Sequence, residues 1–195
     1  MGANTNRYVA SAKPNVGGGI YWAPGGAALP TDATTSLASE FECLGAISSG
    51  GVRPSRNTSQ EKVREWDGSV LANLLTEEDR GFEFDLYSVH DQDTLNFIFG
   101  ADNVSVTPAA VGTGTVVAVE DKGGQQPTGV LVIDMLDQNG GRTRKVCGAA
   151  QPVITSEGPY VPGALRQYTA QVEASKDEAG VFVYEYSQLN DALSA

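Results

Sequence analysis

The stretch from residue 50 to residue 104 constrains this chain more than any other. It joins a long polar segment, GGVRPSRNTSQEKVREW (50–66), to a strictly alternating one, GFEFDLYS (81–88), and then to an apolar turn with capping residues, DQDTLNFIFG (91–100). In the alternating segment Phe82, Phe84 and Leu86 fall on one side and Glu83, Asp85 and Tyr87 on the other. That period of two describes an antiparallel strand with one wet face. In the third segment Asp91 or Asp93 caps a helix whose Leu95, Ile98 and Phe99 recur at three- and four-residue spacing, and Gly100 ends it. The polar segment holds only Val52, Val63 and Trp66 as apolar residues. A compact domain rarely spends so many residues on an idle connection. Its conformation stays open between a helix over 60–66 with a thin apolar stripe, a projecting hairpin and an interface loop.

The remaining pattern is a series of strands. Residues 41–48 (FECLGAIS) read as the first, with Gly45 at a bulge. Residues 67–75 alternate loosely, and Glu77-Glu78-Asp79 reads as an acidic turn before the strand at 81–88. Residues 114–121 (GTVVAVED) follow, then 130–136 (VLVIDML), which is apolar on both faces and so central. Asn139-Gly140-Gly141 is a hairpin turn that sends 142–147 back along it. A short strand at 152–156, an alternating one at 167–174 and a last one at 181–186 complete the set. Nine prolines and 23 glycines suit such turns better than a helical bundle. The chain of 195 residues is sized for one domain, 20–187, with an arm at 1–19 and a short tail at 188–195.

Charge and chemistry narrow the function. The net charge of -11 comes from 24 acidic and 13 basic residues, which tells against binding nucleic acid through its phosphates. It is compatible with a surface past which DNA slides without sticking, or with solubility alone. Cys43 and Cys147 stand in no metal-ligand or CxxC spacing; they read as two buried free thiols, or as a disulfide if strands bring them together. Residues 1–19 carry no apolar run of the signal-peptide kind, and no stretch approaches the ~20 apolar residues of a membrane span. Folding in a reducing cytoplasm, or release by lysis, is the expectation. His90, the single histidine, sits at the helix start and suits a capping or surface role. No metal-binding or cofactor-binding motif appears, and the glycine runs at 17–19 and 112–114 lack the lysine of a phosphate loop and read as hinges. Glu83 and Asp85 share a strand face, as paired acids of a glycosidase would, but a solvated face explains them as well. Tyr87, Tyr184 and Tyr186 are the aromatics a carbohydrate-binding face would use.

Several blocks, in order, resemble a known family. They are Trp22-Ala23-Pro24, ALPTDATTSL (28–37), LGAISSGGV (44–52), REWDGSV (64–70), FEFDLYS (82–88) and DTLNFIFGADNV (93–104). GTVVAVED, VLVIDML, GGRTRKV, PVITSEGPYVPG, YTAQVEAS and VYEY follow. From about residue 20 to 187 the chain resembles the major tail (tail tube) proteins of long-tailed, siphovirus-type bacteriophages, in their actinobacterial form. The specificity lies in the order and spacing of the blocks, since none is a catalytic motif.

The resemblance implies a mainly β fold: a β-sandwich of two antiparallel sheets with one flanking α-helix, a long hairpin or loop, and the N-terminal arm. It implies no enzyme and no cofactor, but a structural subunit that forms rings, usually of six, stacked into a hollow tube. The implied partners are further copies of itself and the tape-measure, tail-terminator and baseplate proteins. DNA passes through the lumen without specific binding, and no membrane is involved. The implied location is the virion tail, assembled in the host cytoplasm. Within that picture Glu65, Asp67, Glu77, Glu78, Asp79, Glu83 and Asp85 are candidates to line the bore, and Arg53, Arg56, Lys62 and Arg64 to make contacts between rings. The alternatives are a β-sandwich carbohydrate-binding module of a tail tip or capsid surface and, more distantly, a hydrolase using an acid such as Glu83.

Overall fold

A computed structural model of the protein describes residues 10–15 and 19–190; of the expected arm and tail, residues 1–9, 16–18 and 191–195 lie outside the described residues. The chain is mainly β. Eleven strands run in the order β1 (Lys13–Pro14), β2 (Ile20–Pro24), β3 (Glu42–Cys43), β4 (Arg53–Arg64), β5 (Val70–Leu86), β6 (Val104–Thr107), β7 (Val116–Val119), β8 (Gly129–Leu136), β9 (Arg142–Glu157), β10 (Tyr168–Ala174) and β11 (Tyr184–Gln188). Among the described residues one α-helix, α1 (Gln92–Phe99), follows β5. There are two sheets, both antiparallel, but very unequal. Nine strands form one sheet, ordered β3-β2-β8-β9-β10-β5-β4, with β1 added to β8 and β11 to β9; β6 and β7 form the other.

The large sheet curls so that its ends approach. Leu44 donates to the Ile20 carbonyl in β2, whereas three residues on Ile47 bridges Leu86 in β5, and Tyr87 donates to the Ala46 carbonyl. The segment 41–48 is therefore not one strand. Gly45 turns it with φ +71°, and a Cβ there would meet Ser88 Oγ at 2.2 Å. Only glycine fits both the left-handed backbone and the space.

β8 sits centrally for the reason its composition suggested: β-branched residues on both faces, both covered. Leu131 and Ile133 face the main core with Phe82, Phe84, Leu86, Val172 and the α1 residues Leu95, Phe97, Ile98 and Phe99. Val130 and Val132 face a second cluster with Ala23, Phe41 and Val146. Inside the curl the helix is the filling. Phe97 meets Trp22 edge-on at 5.1 Å, and Phe99 meets Tyr168 likewise at 5.7 Å. Each large apolar side chain so buried contributes roughly 1.5–3 kcal/mol. Helix α1 begins as its sequence requires, with Asp91 accepting from the Thr94 amide at 3.1 Å, and ends at Gly100.

Several boundaries differ from the sequence pattern. Residues 53–64 are a strand, not a helix. Glu77-Glu78-Asp79 is no turn: β5 runs unbroken from Val70 to Leu86. Residues 152–156 belong to the single strand β9, Val104–Thr107 is an additional strand, 114–121 contracts to Val116–Val119, and the last strand is displaced to Tyr184–Gln188. Pro152 is tolerated inside β9 because β8 pairs with β9 only as far as Ala150; beyond it, β9 has a neighbour on the β10 side alone. No disulfide joins the two cysteines; Cys147 is buried, and Cys43 is only half-buried. Burial pushes the Cys147 thiol up to about 11.

Candidate assembly interface

The functional question centres on β4 and β5. They pair from Arg53–Glu83 out to Arg64–Val70, with β-bulges at two points. Only the base of this ribbon is packed: Phe82 and Gly81 are buried, and from Asn57 to Leu75 no residue is. At ~3.3 Å per residue, the twelve residues of β4 span roughly 40 Å.

The ribbon closes in a tight turn. Gly68 donates to the Glu65 carbonyl at 2.9 Å and takes φ +86°. Asp67 accepts from the Ser69 amide at 2.8 Å, and Arg64 donates to the Gly68 carbonyl at 2.7 Å. A type I turn followed by a left-handed glycine fits a three-residue hairpin loop. The turn leaves Trp66 wholly in solvent, at 104% exposure. Val70, Leu71, Leu74 and Leu75 next to it are exposed as well. Consecutive strand residues point to opposite faces, so Leu74 and Leu75 make the end of the ribbon apolar on both sides.

Charge on the ribbon is segregated by face. Cross-strand partners share a face, and the register pairs Asn57 with Asp79 and Ser59 with Glu77, while Arg56 pairs with Arg80 and Thr58 with Glu78. Alternation along β4 therefore places Arg56, Lys62 and Arg64 on one face, and Glu61 with Glu77 and Asp79 on the other. Glu78 lies on the basic face, bound to Arg80. Glu65 and Asp67 sit at the turn. Glu61 belongs to the acidic face although its part in the pattern was not read from sequence; counting in twos along 56–65 finds it once the segment is known to be a strand.

Glu83, Asp85 and Arg53 are drawn together at the base. Arg53 Nη2 lies 2.8 Å from Glu83 Oε1 and 3.4 Å from Asp85 Oδ2. Asp85 also accepts from Thr169 Oγ1 at 2.7 Å and Ser48 Oγ at 3.2 Å. These three residues lock β4, β5 and β10 to one another. Partial burial pushes the Asp85 carboxyl up, but the Thr169 and Ser48 hydroxyls and the Arg53 guanidinium outweigh it and hold the group below its ordinary value. Elsewhere, hydrogen bonds from Thr35, by side chain and amide, and from the Thr34 amide lower Asp32 to about 2. A carboxyl depressed in the folded state stabilises above its unfolded pKa, and that stability is lost as pH falls through the folded value. For Asp32 the loss runs from 3.8 down to about 2. The urea midpoint is therefore expected to fall between about pH 4 and pH 2, and less so in Asp32→Asn, which has already lost the charge.

The chemistry of the alternatives is not assembled. Glu83 and Asp85 are bound to Arg53 rather than set across a cleft. Tyr184 and Tyr186 stack at 6.2 Å on β11 and pack against the Phe41–Val146 cluster, with Tyr184 Oη donating to Asp177. Tyr87 lies at the end of β5, away from that strand. Among the described residues no group of His, Cys, Asp or Glu is placed to hold a metal ion.

A mainly β chain that extends a bare, two-faced ribbon offers a surface suited to association. Its family agrees. Residues 1–147 match the family model described as phage tail tube protein, and the chain belongs to that family. The family is structural and non-enzymatic, so this chain is a structural subunit of a phage tail and not an enzyme. Two solved structures are similar to it in outline. One is described as the tube-terminating cap of the anti-feeding prophage, 9% identical over 96% of this chain and 100% of that one, with a TM-score of 0.47. The other is a chain of the six-fold symmetrised baseplate of the anti-feeding prophage, 13% identical over 90% and 97%, with a TM-score of 0.42. No curated protein matches the chain.

Proposed function

We propose that the chain forms rings of six copies that stack into a hollow tube, and that DNA passes through the tube without specific binding. The observation that carries this reading is the segregation of charge on a ribbon that projects from the core. Glu61, Glu77 and Asp79 on one face, with Glu65 and Asp67 at the tip, line the bore; an acidic wall repels phosphate and leaves no trap along the path. Arg56, Lys62 and Arg64 on the opposite face meet acidic surface on adjacent copies, and these exposed contacts weaken with salt. Glu78, Glu83, Asp85 and Arg53 serve within the chain, where each already has an ionic partner. The open edges of β4 and β11 supply pairing surfaces between copies in a ring. Assembly takes place in the host cytoplasm on a tape-measure protein, between a baseplate and a tail terminator.

Reversing the wall tests the conduit. Tubes of a Glu77→Lys, Asp79→Lys variant are expected to retain double-stranded DNA at low salt, and unaltered tubes to retain none. Equal retention by both would remove these acids from the bore.

A further inference from the structure

We infer that the apolar tip of the β4–β5 ribbon docks in one particular groove on another copy of this chain. The inference rests on the stacking reading above and assigns its receptor. The groove has a volume of about 710 Å3 and is walled by Pro14, Ile20, Ile47, Val52 and Met135. Its one carboxylate, Asp134, is neutralised by Arg144 at 2.6 Å. An apolar side chain entering it strands no charge.

Position decides the occupant. Val52 adjoins the base of the ribbon, and Trp66 lies at the far end, separated by a strand of roughly 40 Å. Cross-strand pairing runs the whole length of the ribbon, through two bulges, and sets the tip at the end remote from its own groove. A knob at one end and a hole at the other make a head-to-tail contact. Repeated from copy to copy along an axis, such a contact generates an open stack. The copies then stand apart by about the length of the ribbon, roughly 40 Å or somewhat less if it tilts.

Size agrees. Trp66 alone buries roughly 200 Å2 when enclosed. With Val70 and Leu71 beside it the tip offers several hundred Å2, a central part of the roughly 800 Å2 that each side of a stable specific interface buries. The groove falls within the range of roughly 300–1,000 Å3 that encloses compact organic groups.

Disulfide trapping between two variants tests this. One carries Trp66→Cys and the other Met135→Cys, both with Cys43→Ser; Val52→Cys replaces Met135→Cys if the latter destabilises the core. Cys147 stays silent because it is buried. Mixed and assembled into tubes, then oxidised, the two chains are expected to join as the principal cross-linked product, and the thiol of Met135→Cys, alkylated readily in the monomer, becomes protected. Tubes without that product overturn the groove as receptor, leave stacking intact and point to a different partner for the tip. Protection of Met135→Cys already in the monomer overturns it too, because the groove would then be closed before any second copy arrives. Each variant is carried as a minor component in tubes of the parent protein, and failure of the parent itself to form tubes under any condition counts against the stacking reading and removes the groove assignment with it.

Discussion

Replacing residues 59–77 by Asn-Gly should leave a folded monomer that no longer forms tubes. The graft keeps Thr58 and Glu78 as a cross-strand pair and closes them with a two-residue turn that suits antiparallel strands. Nothing in the excised segment is buried; Val63 and Ala72 are its only half-covered apolar residues. The core residues Phe82, Phe84 and Leu86 and the Arg53–Glu83 lock all remain. Stability of the monomer should therefore move by no more than about 1 kcal/mol. Assembly should be abolished, because the excision takes away Trp66, the apolar tip and the outer charges at one stroke. Urea denaturation and electron microscopy of the same preparation separate the two effects. Normal tubes from a stable variant would show that the ribbon plays no part in stacking.

The second large effect concerns the centre of the sheet. Asp134→Ala is expected to destabilise the fold by about 3–5 kcal/mol, because it leaves the Arg144 guanidinium buried without its counter-charge. Arg144 Nε and Nη2 bind the two Asp134 oxygens at 2.6 Å and 2.9 Å, with both side chains almost fully buried. The same guanidinium donates through Nη1 to the carbonyls of Asp32 and Thr35 and so ties the loop between β2 and β3 over the second cluster. An Asp134→Leu, Arg144→Met double variant should be more stable than Asp134→Ala, since it removes both charges together. It should not restore the loop, whose carbonyls lose their donor. Denaturant midpoints compare the three proteins, and an Asp134→Ala protein within 1 kcal/mol of the parent, on the order of a surface substitution, would contradict the account.

What could be read in advance follows burial. The face Phe82-Phe84-Leu86 and the helix from Asp91 to Gly100 stand as their patterns indicated because each has one buried side that imposes a period, the strand 130–136 because both its faces are covered, and the Asn139-Gly140-Gly141 turn because of its own turn chemistry. The outer part of β5 has none. Between Leu71 and Asp79 every residue is exposed or half-exposed, so no alternation marks it, and an acidic run there reads as a turn. β9 reads from its sequence as two strands for a different reason. Gly148 and Pro152 look like breakers, yet one lies where Leu29 and Asp177 crowd the backbone and the other where the strand has only one neighbour. The candidate charges were visible as residue types, but which of them share a face depends on the β4–β5 register, and that register is a property of the hairpin rather than of any local motif. In the sequence Trp66 is one apolar residue of a polar stretch; its full exposure follows from its place at the hairpin turn.

Stacking of this chain on itself would make it the repeating unit of a tail tube. Electron microscopy of the purified full-length protein, at low and at high concentration and with a tape-measure and baseplate assembly added as nucleator, tests it most directly. Rings and hollow tubes with an axial repeat near the ribbon's length, roughly 40 Å, are expected. Particles that stay monomeric at every concentration, with the nucleator present, would contradict it.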